Sequence, residues 1–221
     1  MKQSQVYEFK DKLFLTLNAN QRGGIILGLV IGVASFLGGM GAGEYGRTWG
    51  AFLLNLMFFF SISLGGVAFG NMQDIIGALW ARPIKRLHES FGAFMPCAFV
   101  GFLIFLLAVS QGFLHADEVY PWISSPQLLH SFPGKNQWLQ PSWMIGRDIA
   151  ALVIIMSLSA WHFKLTIKPD LALLAGDKDE AFREGEFSRE KLRFFSAPVL
   201  VVYSLCFTLL VFDLTGHSLS L

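Results

Sequence analysis

Five apolar stretches of about twenty residues, at 24–42, 49–71, 91–110, 143–163 and 194–214, restrict this chain more than any other feature of it. At ~1.5 Å of rise per helical residue, each reaches across a hydrocarbon core of ~30 Å. Lipid offers no partners to backbone N–H and C=O groups, so a spanning segment is a helix or part of a closed barrel. None of the five runs alternates with period two, which selects helices. The expected fold is an all-α, multi-pass transmembrane helix bundle of about five spans. It divides into an N-terminal arm at 1–23 and a single transmembrane domain at 24–221, with an outer loop at 111–142 and a cytoplasmic loop at 164–193.

The 53% hydrophobic content, 22 Phe and mean hydropathy of +0.51 agree with that count, being well above what a water-soluble chain of this size carries. The two longest polar stretches, 111–142 and 164–193, fall below the ~50 residues of a small domain. A net charge of +1 gives no support to nucleic-acid binding. No phosphate-binding glycine loop and no Cys/His cluster at metal-ligand spacing is present, so the sequence offers neither a catalytic constellation nor a metal site. Cys97 and Cys206, inside the third and fifth stretches, read as small packing residues.

Cations near a spanning helix resist translocation, and here all the Lys and Arg residues except Arg47, Lys135 and Arg147 fall on one side. That side is the cytoplasm, which gives an N-in/C-out topology. Gly41, Ala42 and Gly43 would suit the end of a cleavable signal peptide, but the long arm of mixed charge before the first run favours a retained helix. Gln5 to Thr16 (QVYEFKDKLFLT) reads equally as an amphipathic surface helix or a solvated tail. Gly24, Gly28 and Gly32 recur every fourth residue on the first span, followed by Gly39 and Gly43. Such a stripe lets helices approach closely, and the expectation is a seam within this chain's own bundle, with a second subunit as the other candidate. Gly65, Gly66 and Gly70 offer a shorter surface on the second span. Pro96 and Pro198 are expected in first-turn positions of the third and fifth spans.

Ionisable groups at membrane depth are costly and usually have a partner or a task. They gather at two levels. Toward the outer face are Arg147 and Asp148, about one turn into the fourth span, and Asp213 near the end of the fifth. Toward the inner face are Asn71, Gln73, Asp74, His88, Glu89 and His162. Between them lie hydroxyls and an amide, including Asn55, Ser159 and Tyr203, but no carboxylate, lysine or histidine. Two half-channels for protons fit this pattern; a complete pump does not. The plain alternatives are a structural pair of Arg147 with Asp148 or Asp213, a solvated helix start at His88 and Glu89, and an interfacial anchor at His162 beside Trp161. A haem b between His88 and His162 is the rival reading, while the absence of C-x-x-C-H excludes covalent haem. A transporter is weaker, since no inverted repeat is visible.

The segments RTWGAFLLNLMFFFSISLGGVAF at 47–69, PIKRLHESFGAFMPCAFVGFLI at 83–104, WMIGRD at 143–148 and FDL at 212–214 resemble the N-terminal half of a membrane subunit of bacterial alternative complex III. That quinol:electron-acceptor oxidoreductase has membrane subunits similar to the polysulfide reductase (NrfD) superfamily. The resemblance implies a four-helix-bundle core plus one further helix in the bacterial inner membrane. It also implies a non-catalytic subunit that binds no cofactor, beside other membrane subunits and periplasmic iron–sulfur and cytochrome c subunits that hold the clusters, haem c and the quinol site. It further implies structure and candidate proton conduction, with Asp148 and Asp213 as outer groups and His88, Glu89 and Asp74 as inner ones. Arg147, His162 and Tyr203 join them from the pattern of polar groups. Family members continue into a second bundle, so a split or shortened version is the expectation. A small membrane cytochrome b or quinol-binding anchor with its own haem or quinol site is the alternative.

Overall fold

The computed structural model of the chain describes residues 18–78, 82–120, 123, 138 and 140–215, and among them it is all helix and turn. The Gln5 to Thr16 segment lies outside these residues. Six helices follow one another among the described residues: α1 (Ala19–Gly41), α2 (Tyr45–Ile75), α3 (Arg82–Ser90), α4 (Met95–Gln111), α5 (Pro141–Ala175) and α6 (Lys178–Thr215). A 3-10 turn, Phe91–Phe94, joins α3 to α4, and a second, Phe113–Val119, follows α4. Among the described residues five helices are long and apolar enough to cross a membrane, the third being the continuous 84–111 segment. The chain is an all-α multi-pass bundle.

Four of these helices make the core. Phe60 of α2, Phe102 and Phe105 of α4, Leu152 and Ile155 of α5 and Leu210 of α6 are wholly buried against one another. Ring edges interlock, as in the T-shaped Phe60–Phe102 pair with centroids 5.3 Å apart. Lipid tails are as apolar as these side chains, so it is close packing and not escape from water that favours this contact. Glycine lets it happen where backbones meet. A Cβ on Gly66 would stand 2.5 Å from the His88 carbonyl oxygen, and one on Gly101 2.8 Å from Leu56.

The first helix departs from expectation. Asn18 caps it, accepting from Ala19 and forming a reciprocal box with Gln21, but no residue of α1 is buried. Only its outer end touches the bundle, where Phe36 packs edge-on against Trp49 and Phe52. Gly24, Gly28 and Gly32 meet nothing, so the seam within this chain is not formed there. Of the second glycine group, Gly66 and Gly70 are packed and Gly65 faces open space. Cys97 is likewise exposed and fills no core position.

The cytoplasmic loop expected at 164–193 is mostly helix. α5 continues to Ala175 and α6 begins at Lys178, leaving a turn at Gly176 and Asp177. Gly176 takes φ +90, a left-handed conformation that closes the helix, and Asp177 Oδ1 accepts from the Glu180 amide to open the next. At 35 and 38 residues these helices are roughly 52 and 57 Å long, so about 20 Å of hairpin projects beyond the hydrocarbon. Because α6 starts sixteen residues before the fifth apolar stretch, Pro198 lies in the helix interior and not in a first turn; Pro169 is interior in α5. Pro96 does occupy the first turn of α4.

Candidate functional site

The polar groups form two clusters, one at each end of the four-helix core. At the outer end, α5 and α6 place Arg147, Asp148 and Asp213 side by side. Arg147 donates from Nε and Nη2 to Asp213 Oδ2 at 2.8 and 2.6 Å. The Trp138 indole donates to Asp213 Oδ1 at 3.2 Å, its carbonyl accepts from Arg147 Nη1 at 3.4 Å, and its ring lies 3.9 Å beneath the guanidinium. Asp213 is therefore satisfied at both oxygens.

Asp148 is not. It sits two turns into α5, counted from Pro141, with no surface exposed. Asp213 and Arg147 are its charged neighbours, yet neither of its oxygens has a hydrogen-bond donor among the described residues. A buried polar group without a partner is rare and costs ~1–3 kcal/mol, more when charged. Tyr120, outside the spans, closes the cluster from the turn after α4. Its hydroxyl donates to the Leu214 carbonyl at 3.3 Å. Burial and the Asp148 and Asp213 carboxyls push its phenol above the ordinary value, so it stays an O–H donor at neutral pH.

At the inner end Glu89 is the centre. It is buried, its Oε2 accepting from Arg86 at 2.6 Å and its Oε1 lying 3.2 Å from His162 Nε2. Lys85 stands 3.8 Å away and pairs with Asp74, while Arg86 reaches on to the Thr166 carbonyl and to Asp170 at 2.6 Å. The solvated helix start expected at Glu89 is thus replaced by an ion network, and His162, wholly buried, is no interfacial anchor. The close approach at Gly70 makes this fit, since a Cβ there would lie 3.5 Å from Glu89 Cγ. His88 stands apart, its ring against Phe69. His162 turns its Nε2 to Glu89, and Nδ1 of both histidines is buried without a hydrogen-bond partner among the described residues. No cluster of three His, Cys, Asp or Glu suited to a metal ion occurs among the described residues.

Between the clusters runs an apolar layer. One turn above His162, Ser159 Oγ bonds the Ile155 carbonyl and meets the Tyr203 hydroxyl at 2.8 Å, so the phenol is the donor to the serine. From Tyr203 to Asp213 is ten residues of α6, about 15 Å. That interval holds Leu210, Phe207, Leu152 and Ile155, with Phe60 packed across them. Charge cannot rest there.

Sequence reading named Asp148, Asp213, Arg147, Asp74, Glu89 and His162, which meet in the two clusters, and Tyr203 and His88, which lie outside them. It assigned Lys85 and Arg86 to orientation alone, although their i+4 and i+3 spacing to Glu89 signals a pair on one helix face. Trp138 and Tyr120 gave no local signal, because the groups they meet, Asp213 and Leu214, are 75 and 94 residues away in the chain. Comparison with protein-family models, with characterised proteins and with solved structures finds no match for this chain.

Proposed function

We propose that this chain is a structural and proton-handling subunit, itself free of cofactors, of a respiratory quinol:electron-acceptor oxidoreductase of the alternative complex III kind, set in the bacterial inner membrane. The segments at 47–69, 83–104, 143–148 and 212–214 support the assignment to that complex. The orientation follows from the cations, with the 164–193 hairpin in the cytoplasm and the outer cluster toward the periplasmic subunits that carry iron–sulfur clusters and haem c.

The observation that carries proton handling is Asp148: a wholly buried carboxyl, without a donor, beside an ion pair already satisfied. A carboxyl so placed keeps a proton more readily than it keeps a charge. Quinol oxidation releases protons near that face, and Asp148 accepts and passes one on. The inner network of Glu89 and His162 is the corresponding group on the other side, and the apolar layer between them prevents a leak. Asp148→Asn tests the role: quinol turnover and coupled proton release fall at least tenfold while the complex still assembles. Wild-type turnover with unchanged proton release overturns it. Copurification in mild detergent with iron–sulfur and c-haem subunits tests the assignment to the complex.

A further inference from the structure

The outer cluster contains two carboxyls and one guanidinium, and chemistry alone does not say which carboxyl the arginine neutralises. Arg147 precedes Asp148 on the same helix, and both acids are essentially buried, Asp213 at 1% exposure and Asp148 at none. The choice is made by a residue outside the spans. Trp138 touches both members of the pair it favours: its indole N–H fills the second oxygen of Asp213, its backbone carbonyl takes the one guanidinium nitrogen that Asp213 leaves free, and its ring centroid lies 3.9 Å from the guanidinium carbon. Every Arg147 nitrogen is thereby engaged on Asp213 or on Trp138.

We infer that Trp138 is a positioning residue, which holds Arg147 on Asp213 and so leaves Asp148 as the carboxyl that takes up the proton. The inference rests on the proton-handling reading of Asp148 and deepens it. The indole face attracts the guanidinium, and its N–H gives Asp213 a charge-assisted hydrogen bond. Without the Trp138 side chain, Asp213 loses its second donor and the guanidinium loses the ring beneath it, so Arg147 is no longer held on Asp213 alone. The guanidinium then divides between the two carboxyls, and Asp148 becomes an ion. The groups that face Asp148 from the packed elements are Arg147 on α5, Asp213 on α6 and Tyr120 on the turn after α4.

The test is infrared difference spectroscopy of the full chain in lipid nanodiscs, following the protonated-carboxyl band as pH is raised. Wild type minus Asp148→Asn assigns the band. Trp138→Ala lowers the midpoint of that band by at least one pH unit, about a tenfold loss of proton affinity, and Trp138→Phe, which keeps a stacking ring but no N–H, falls between. Adding Arg147→Gln to Trp138→Ala restores the midpoint to the wild-type value or above, which a general loosening of the fold would not do. If Trp138→Ala does not fold, Trp138→Phe is read in its place. No band removed by Asp148→Asn at any pH overturns the proton-handling reading itself. A band present in wild type whose midpoint is unmoved by either Trp138 variant overturns the positioning role and leaves that reading standing.

Discussion

Single side chains set the energetics of both clusters. Glu89 holds Lys85, Arg86 and His162 together in a site 5% exposed, and breaking a buried ionic network by removing one partner costs ~3–5 kcal/mol. Glu89→Gln is therefore expected to destabilise the chain by about 3 kcal/mol in a denaturing-detergent titration, with Asp170→Asn, half exposed, costing under about 1 kcal/mol. Tyr120 gives a pH dependence of known sign. Its phenol is raised by folding, so the neutral form contributes stability fully below the unfolded value of ~10, and that contribution is lost as pH rises above it. Tyr120→Phe should flatten the alkaline limb of a stability–pH curve above about pH 10 while lowering stability near neutrality by about 1 kcal/mol, the worth of the bond to Leu214. An unchanged alkaline limb would show that another group controls it.

At the scale of whole helices, α1 and the α5–α6 hairpin behave differently from the other elements. α1 touches the bundle near its outer end, through Phe36 and Met40 and where Gly39 lies against Thr48, and its Gly24, Gly28 and Gly32 face open space. Gly28→Leu is expected to leave the unfolding midpoint of the isolated chain within the ~0.5 kcal/mol of a surface substitution, whereas Gly66→Ala, which drives a Cβ into the His88 carbonyl, costs ~1–3 kcal/mol. Loss of folding in Gly28→Leu would mean that α1 packs into the core after all. The hairpin shows why hydropathy misjudges helix length: charged residues end an apolar run but not a helix, and Lys178 to Arg193 is full of good helix formers. Pro198 is tolerated inside α6 for a related reason. A proline forfeits one N–H and crowds one carbonyl, and the residues flanking Pro198 keep their helical conformation through the packing of Ser196 and Val199 against the bundle.

For the molecule as a whole, five spans put the start of α1 and the end of α6 on opposite sides of a membrane. A cysteine at Asp179, in a Cys97→Ser, Cys206→Ser background, should react with an impermeant maleimide only from the cytoplasmic side, and one at Gln140 only from the outside. Labelling of both from the same side would overturn the topology. The same topology accounts for how the polar groups sort. Antiparallel neighbours bring Asp74 to Lys85 and Arg86 to Thr166 at one end, and Gly46 to Glu118 and Arg147 to Asp213 at the other, while the layer of Phe60, Phe102, Leu152, Ile155 and Leu210 keeps the ends apart.

The amino-acid sequence by itself determined that the chain is a helical bundle with five apolar runs, and that its titratable groups lie at two levels with nothing charged between them. These properties follow from hydropathy and from the need to satisfy backbone groups in lipid, which act locally along the chain. Tertiary structure alone decided which acid pairs with Arg147, that Glu89 and His162 are buried together, and that the glycine stripe of α1 is left bare. Each of those depends on residues dozens of positions apart, such as Glu89 and His162 or Arg147 and Asp213, meeting at a distance of about 3 Å. Short-range pattern carries no record of such meetings, because hydrogen bonds and ion pairs are selected by the packing of helices and not by the spacing of residues within one.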